Sequence, residues 1–112
     1  MAIQTADYSN LDLNEMAAAI GLKPKHMPML IGSFLDESGG IVTSLETAIS
    51  SNDFTAIKAY AHSIKGSAGN LKFNEIYEMT REMEHSAENS DASFDYTGHL
   101  AAVKSAMATI PK

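Results

Sequence analysis

A single histidine in a glycine-containing segment is the part of this sequence best suited to chemistry. The stretch AHSIKGSAGN, residues 61–70, places Gly66 and Gly69 four and seven positions after His62. Each glycine inside a helix costs about 1 kcal/mol relative to alanine. An imidazole nitrogen is a nucleophile that accepts a phosphoryl group when the donor approaches in line. The two missing side chains therefore indicate a cleared path to His62.

Helical geometry predicts that His62 lies on the solvent side of its helix. At about 100° per residue, a set of apolar residues falls within about 40° of the direction of the core. This set is Ile57, Ala61, Ile64, Ala68 and Leu71. His62 is then about 140° from that direction, and Gly66, Gly69 and, if the helix extends so far, Phe73 share its face.

A stripe of lysines is predicted along one flank of His62. Lys58, Lys65 and Lys72 recur every seven positions, in a chain whose net charge is −6. Lys65, three residues after His62, is placed to reach a phosphoryl oxygen with a charge-assisted hydrogen bond. The alternative is that the lysines form a solvated face, that the glycines serve helix packing, and that His62 is an ordinary surface residue.

Apolar residues recur at helical spacing over nearly the whole chain and predict an all-α fold. We expect an antiparallel four-helix bundle with a short additional N-terminal helix. The short helix covers residues 11–20 and stops at Gly21, and a long helix covers about 25–50. Gly39 and Gly40 could interrupt the long helix.

The remaining helices are bounded by polar residues. Asn52 or Asp53 is the expected cap of the His62 helix, and Asn74 the expected cap of a helix over residues 75–89. A last helix runs from Tyr96 to Pro111. The other histidines, His26, His85 and His99, are expected at the surface.

Composition limits the classes of function. A chain of 112 residues fits one domain, here 1–112. The acidic charge argues against nucleic acid or an anionic membrane as the main partner. The chain has no cysteine, which excludes disulfides and thiolate metal sites and is compatible with the cytoplasm. We also find neither a long apolar run nor a secretory signal.

The segment NDFTAIKAYAHSIKGSAGNL resembles the central helix of histidine-containing phosphotransfer (HPt) domains. The family pattern is alanine-histidine, two residues, lysine-glycine, then small residues and a leucine. The matching residues are Ala61, His62, Lys65, Gly66, Ser67, Ala68, Asn70 and Leu71. One departure is Lys72, where the family usually has a glycine.

The resemblance implies a phosphocarrier of a multistep two-component phosphorelay, not a kinase. His62 would accept a phosphoryl group from a receiver-domain aspartate, Lys65 would neutralise phosphate charge, and Gly66 would give access. Lys58, Gly69 and Lys72 would contact the partner. The resemblance also implies a cytoplasmic protein without a cofactor of its own, since the receiver supplies Mg²⁺, and the small acidic chain is compatible with a monomer.

Three other functions are alternatives to this interpretation. A metal-binding bundle needs ligands that project inward from facing helices, and the sequence has no His-x-x-x-His pair. A phosphate-binding loop at GSAGNLK lacks the required spacing and a preceding strand. The remaining alternative is a bundle of the same fold that binds a receiver or kinase domain without accepting phosphate.

Overall fold

A computed structural model describes residues 3–111, and within this range every regular element is helical. The α-helices are α1 (Leu13–Ala19), α2 (Met27–Ser50), α3 (Phe54–Asn70), α4 (Asn74–Glu88) and α5 (Tyr96–Ala108), and a 3₁₀ turn at Pro24–His26 precedes α2. The all-α prediction, with four longer helices and a short first one, is confirmed.

The long helix α2 is continuous through its glycine pair. Gly39 and Gly40 are exposed, and a Cβ at either position would meet no atom within 4 Å. The pair therefore neither breaks the helix nor mediates a close helix contact. Pro28 lies in the first turn, where a proline removes no helical hydrogen bond.

The core lies between the facing apolar stripes of the helices. Its largest fully buried apolar side chains are Met27, Leu45, Ile57, Ile64, Phe73, Ile76, Met79, Met83 and Val103. Helices α3 and α4 are joined by only three residues and pack as antiparallel neighbours. This pairing fixes which residues of α4 face His62.

A tight turn of three residues follows α3. The helix ends at Asn70, and the backbone N–H of Phe73 donates to the carbonyl of Ala68 at 2.9 Å, a bond of the kind that closes a helix end. Lys72 takes a left-handed conformation with φ of 63°. The chain therefore turns inward, and Phe73 is buried against Tyr8 and Phe34. Phe73 was expected on the face of His62 only if the helix extended so far, and the helix ends before it.

The helix caps agree with the sequence only in part. Asp53 caps α3, because its Oδ1 accepts from the backbone N–H of Ala56 at 3.1 Å. The predicted cap Asn74 is instead the first residue of α4, and Phe73 takes the cap position without a side-chain hydrogen bond.

One histidine prediction is also wrong. His26 and His85 are exposed as expected, but His99 is only 4% exposed. It lies three residues after Tyr96 and four before Val103, so it shares their buried stripe on α5. Its ring lies 4.3 Å, between centroids, from that of Phe94.

Candidate functional site

Helix α3 presents His62 to solvent while its opposite face anchors the helix in the core. The residues Ile57, Ala61, Ile64 and Ala68 are all buried. His62 follows Ala61 on the outer side, and 66% of its side chain is exposed. The imidazole is therefore accessible to a second protein, although the helix beneath it is held firmly.

A carboxylate on α4 orients the imidazole. Nδ1 of His62 lies 2.8 Å from Oε2 of Glu84. A carboxylate oxygen only accepts hydrogen bonds, so Nδ1 carries the proton that is donated to Glu84. In the neutral ring the lone pair is then on Nε2, which is not engaged by Glu84. The contact selects Nε2 as the nucleophilic nitrogen.

The same carboxylate holds Lys65. Nζ of Lys65 lies 2.6 Å from Oε1 of Glu84, and 22% of the Lys65 side chain is exposed. Partial burial alone raises the pKa of Glu84, but the hydrogen bonds and positive charges of Lys65 and His62 outweigh it and hold this pKa below its ordinary value. Glu84 thus remains ionised and joins the two side chains in one network.

The two glycines beside His62 differ in their surroundings. A Cβ on Gly66 would meet no atom within 4 Å, so this position opens directly to solvent. A Cβ on Gly69 would lie 3.1 Å from Cδ1 of Tyr77 on α4. Gly66 therefore keeps the surface near His62 free, whereas Gly69 accommodates the Tyr77 ring between the two helices.

The lysine stripe has acidic neighbours that the sequence analysis did not assign. Nζ of Lys58 lies 3.5 Å from Oε1 of Glu88, with about half of each side chain exposed. Lys72 lies in the exposed turn after α3. Of the three lysines, Lys65 is thus held closely, and Lys58 is held loosely in solvent.

Glu84 is the site residue that sequence reasoning missed. The structure brings His62, Lys65 and Gly66 together on one side of α3, but it adds this fourth member from a different helix. The signal lay in the short connection after α3, because two antiparallel helices joined by a tight turn place residues equidistant from it side by side. Counting outward from residues 72–73 brings position 84 opposite positions 61–62.

The structure gives no independent support for a metal site. Across residues 3–111 no group of three or more histidine, aspartate or glutamate side chains could hold a metal ion. Within the same range no helix combines the length and apolar character required to cross a membrane.

Comparison with known proteins gives one match. The family model described as the Hpt domain matches residues 29–110. The matched range contains α3, α4 and the whole network of His62, Lys65 and Glu84. Neither the curated proteins nor the solved structures gave a significant match.

Proposed function

The chain belongs to the Hpt domain family, which implies a histidine phosphotransfer role in a phosphorelay, and from this premise we propose that His62 accepts a phosphoryl group from a receiver-domain aspartate and passes it to another receiver. The observation that carries the proposal is the exposed imidazole whose Nδ1 is bound by Glu84, leaving Nε2 available.

The proposed step exchanges one bond to phosphorus for another. The Nε2 lone pair of His62 attacks the phosphorus of the partner's aspartyl phosphate, and the P–O bond to the aspartate breaks as the carboxylate departs. Nδ1 keeps its proton, so the phosphorylated ring bears a positive charge. Glu84 stabilises this charge through the existing 2.8 Å contact. Transfer to the next receiver reverses the sequence of bonds.

Lys65 and Gly66 support the step in different ways. The Lys65 ammonium has three donors, and only one is needed for the bond to Glu84. Another donor binds a phosphoryl oxygen and reduces the charge that the incoming group brings. Gly66 lets the receiver surface approach the helix, because no other atom lies where its side chain would be.

The receiver surface is proposed to contact Lys58, Gly69 and Lys72. A receiver presents acidic groups around its aspartate and supplies the Mg²⁺, and opposite charges speed the encounter. Lys58 is available because an exposed ion pair is worth little. A Lys58→Glu variant should associate more slowly with a receiver, and its association rate should depend less on salt concentration. If the wild type and the variant transferred phosphate at identical rates across a salt series, this steering role would be contradicted.

The role of His62 as phosphoryl acceptor is tested by determining which residue carries the transferred phosphoryl group. We expect a phosphorylated receiver to place one acid-labile, base-stable phosphoryl group on His62, as read by mass spectrometry at alkaline pH, and phosphoramidate, a small phosphoryl donor, to label the same residue. His62→Gln should abolish the label from the receiver. His26, His85 and His99 are internal controls in the same chain, and label from a receiver on any of them that survives His62→Gln would contradict the assignment.

A companion variant separates phosphate acceptance from binding. Gly66→Leu should retain labelling by phosphoramidate, which is small, but lose transfer from a receiver.

The competing function is a bundle that binds a receiver or kinase domain without accepting phosphate. Receiver binding without label from either donor would favour that function.

A further inference from the structure

The exposed flank of α4 carries a guanidinium group without a partner inside the bundle. Arg81, the single arginine of the chain, is exposed, and among residues 3–111 it takes part in no ion pair. Glu78, Glu84 and Glu88 all lie within about 60° of it around the helix. Opposite charges that share a helix face commonly pair, so the lack of a pair at Arg81 needs a cause.

Each of the three carboxylates is engaged by another side chain. Oε2 of Glu78 accepts a hydrogen bond from Nε2 of Gln4 at 2.7 Å. Glu84 belongs to the network of the candidate site, and Oε1 of Glu88 lies 3.5 Å from Nζ of Lys58. The guanidinium, with five N–H donors in a planar fork, is therefore left for a carboxylate of another molecule.

Arg81 lies within the area that a protein docked on His62 would cover. Glu84 contacts His62 at 2.8 Å, and a Cβ on Gly69 would lie 3.1 Å from the ring of Tyr77. The part of α4 between these contacts therefore runs alongside α3. Packed helices lie about 8–10 Å apart, which puts the Cα atoms of Arg81 and His62 about 10 Å apart. One side of a standard interface covers about 800 Å², a disc of about 16 Å radius, so a partner centred on His62 reaches Arg81.

The position of Arg81 suits a contact that distinguishes one receiver from another. Arginine is enriched among the residues that dominate the binding energy of protein interfaces, and its planar fork binds a carboxylate through two parallel hydrogen bonds. Arg81 also borders a cavity next to Phe94, in the loop before α5. It therefore lies at the outer edge of the surface around His62, outside the contact with the aspartate that all receivers share.

We propose that Arg81 binds a carboxylate of the docked receiver domain, outside its phosphorylated aspartate, and that this contact selects among receivers. The partner is taken from the proposed function of His62, on which this contact rests. Binding of an unphosphorylated receiver requires no transfer, however, so the contact is measurable by itself.

The test measures the dissociation constants of a panel of unphosphorylated receiver domains by isothermal titration calorimetry. Arg81→Gln should weaken the tightest receiver about fivefold, the usual contribution of one hydrogen-bonded contact, and should reduce the differences between receivers. Lys104→Gln removes the same charge from an exposed position of α5, next to α2, and should change neither. Neutralising the exposed carboxylates around the receiver's aspartate one at a time then identifies the partner group, whose loss should not weaken Arg81→Gln further.

The outcomes separate this contact from phosphate transfer. Receiver binding that depends on Arg81 without label on His62 would contradict the proposed function but support the contact. Label on His62, combined with equal receiver binding by the wild type and Arg81→Gln, would overturn the contact and leave the proposed function intact. An equal loss in Arg81→Gln and Lys104→Gln would also overturn it, because the loss would then reflect net charge alone.

Discussion

Glu84 links two side chains that the sequence places on one helix but does not connect. His62 and Lys65 are three residues apart on α3, yet both are held by one carboxylate of α4. In the proposed step, a neutral amide at position 84 would still accept from Nδ1, but it would not balance the charge that a phosphorylated ring carries. The negative charge, more than the hydrogen bond alone, is thus what Glu84 adds to the site.

The lowered pKa of Glu84 predicts an acid-dependent stability difference. Lys65 and His62 hold this pKa below its ordinary value of 4.5. Because the folded-state pKa is the lower one, the network stabilises the fold above the unfolded-state pKa, and this stabilisation is lost as the pH falls through the folded-state pKa. In urea unfolding over a series of acidic pH values, the greater stability of the wild type relative to Glu84→Gln should therefore shrink as the pH falls below 4.5. A constant difference over that range would contradict the ionic network.

At the scale of single residues, the sequence does not predict which residue of another helix contacts a site residue. Helical periodicity predicted that His62 lies outside the core and that Gly66 lies next to His62, because both positions follow from the geometry of a single helix. The place of Glu84 in the site depends on how α3 and α4 are rotated relative to each other. His99 was misplaced for a different reason: it lies on the buried stripe of α5 between Tyr96 and Val103, and this position outweighed a histidine's preference for the surface.

The end of α3 depends on a residue in a conformation that favours glycine. Lys72 has a φ of 63°, in the left-handed region that is unfavourable for residues with a Cβ. The HPt pattern that the sequence resembles has a glycine at this position, and glycine adopts the left-handed region without strain. The lysine thus maintains a turn that buries Phe73 at the cost of local strain, while adding a positive charge next to the proposed docking surface.

Replacing this lysine should stabilise the bundle. Lys72→Gly is expected to raise the free energy of unfolding by about 1 kcal/mol, because it relieves the left-handed strain. The midpoint of urea unfolding measures the effect. Lys72→Ala is the matched control, since it removes the charge but keeps the Cβ. An equal gain in both variants would indicate that the charge, rather than the backbone conformation, is responsible.

At the scale of the elements, the sequence predicted that each helix is present, but it did not always predict the residue at which a helix ends. Each helix is indicated by several apolar residues at helical spacing, so one residue that departs from the pattern does not alter the prediction of a helix. An end depends on one or two residues. Gly21 was identified as a stop because it is a glycine, and it has a φ of 74°. Lys72 takes a similar conformation, which a lysine by its residue type does not indicate.

At the scale of the whole molecule, the N-terminal segment extends the bundle beyond the range matched by the family. The match begins at residue 29, yet Tyr8 is 9% exposed and its ring lies 4.8 Å from that of Phe73. Its backbone N–H donates to Oγ1 of Thr109 at 2.8 Å. The segment therefore ties the turn between α3 and α4 to the end of α5, and so supports the turn at Lys72 from outside.

The hydroxyl of Tyr8 makes this attachment sensitive to alkaline pH. It donates to Oε1 of Glu75 at 2.7 Å. Burial, the hydrogen bond to Glu75 and the charge of Glu75 all raise the pKa of Tyr8 above its ordinary value of 10. With the folded-state pKa the higher one, the stabilisation is complete below pH 10, the unfolded-state value, and is lost as the pH rises toward the folded-state pKa.

Tyr8→Phe tests this coupling between the N-terminal segment and the bundle. At pH 7 the variant should be less stable than the wild type by about 1 kcal/mol, the usual contribution of a hydrogen bond. The difference in urea unfolding should narrow above pH 10, because only the wild type has a Tyr8 hydroxyl that ionises on unfolding. Glu75→Gln keeps an acceptor but removes the charge, and should reduce the alkaline effect in an otherwise wild-type chain. If wild type and Tyr8→Phe lose stability in parallel above pH 10, the segment is not held through this hydroxyl, and its contribution comes from the packing of the ring on Phe73.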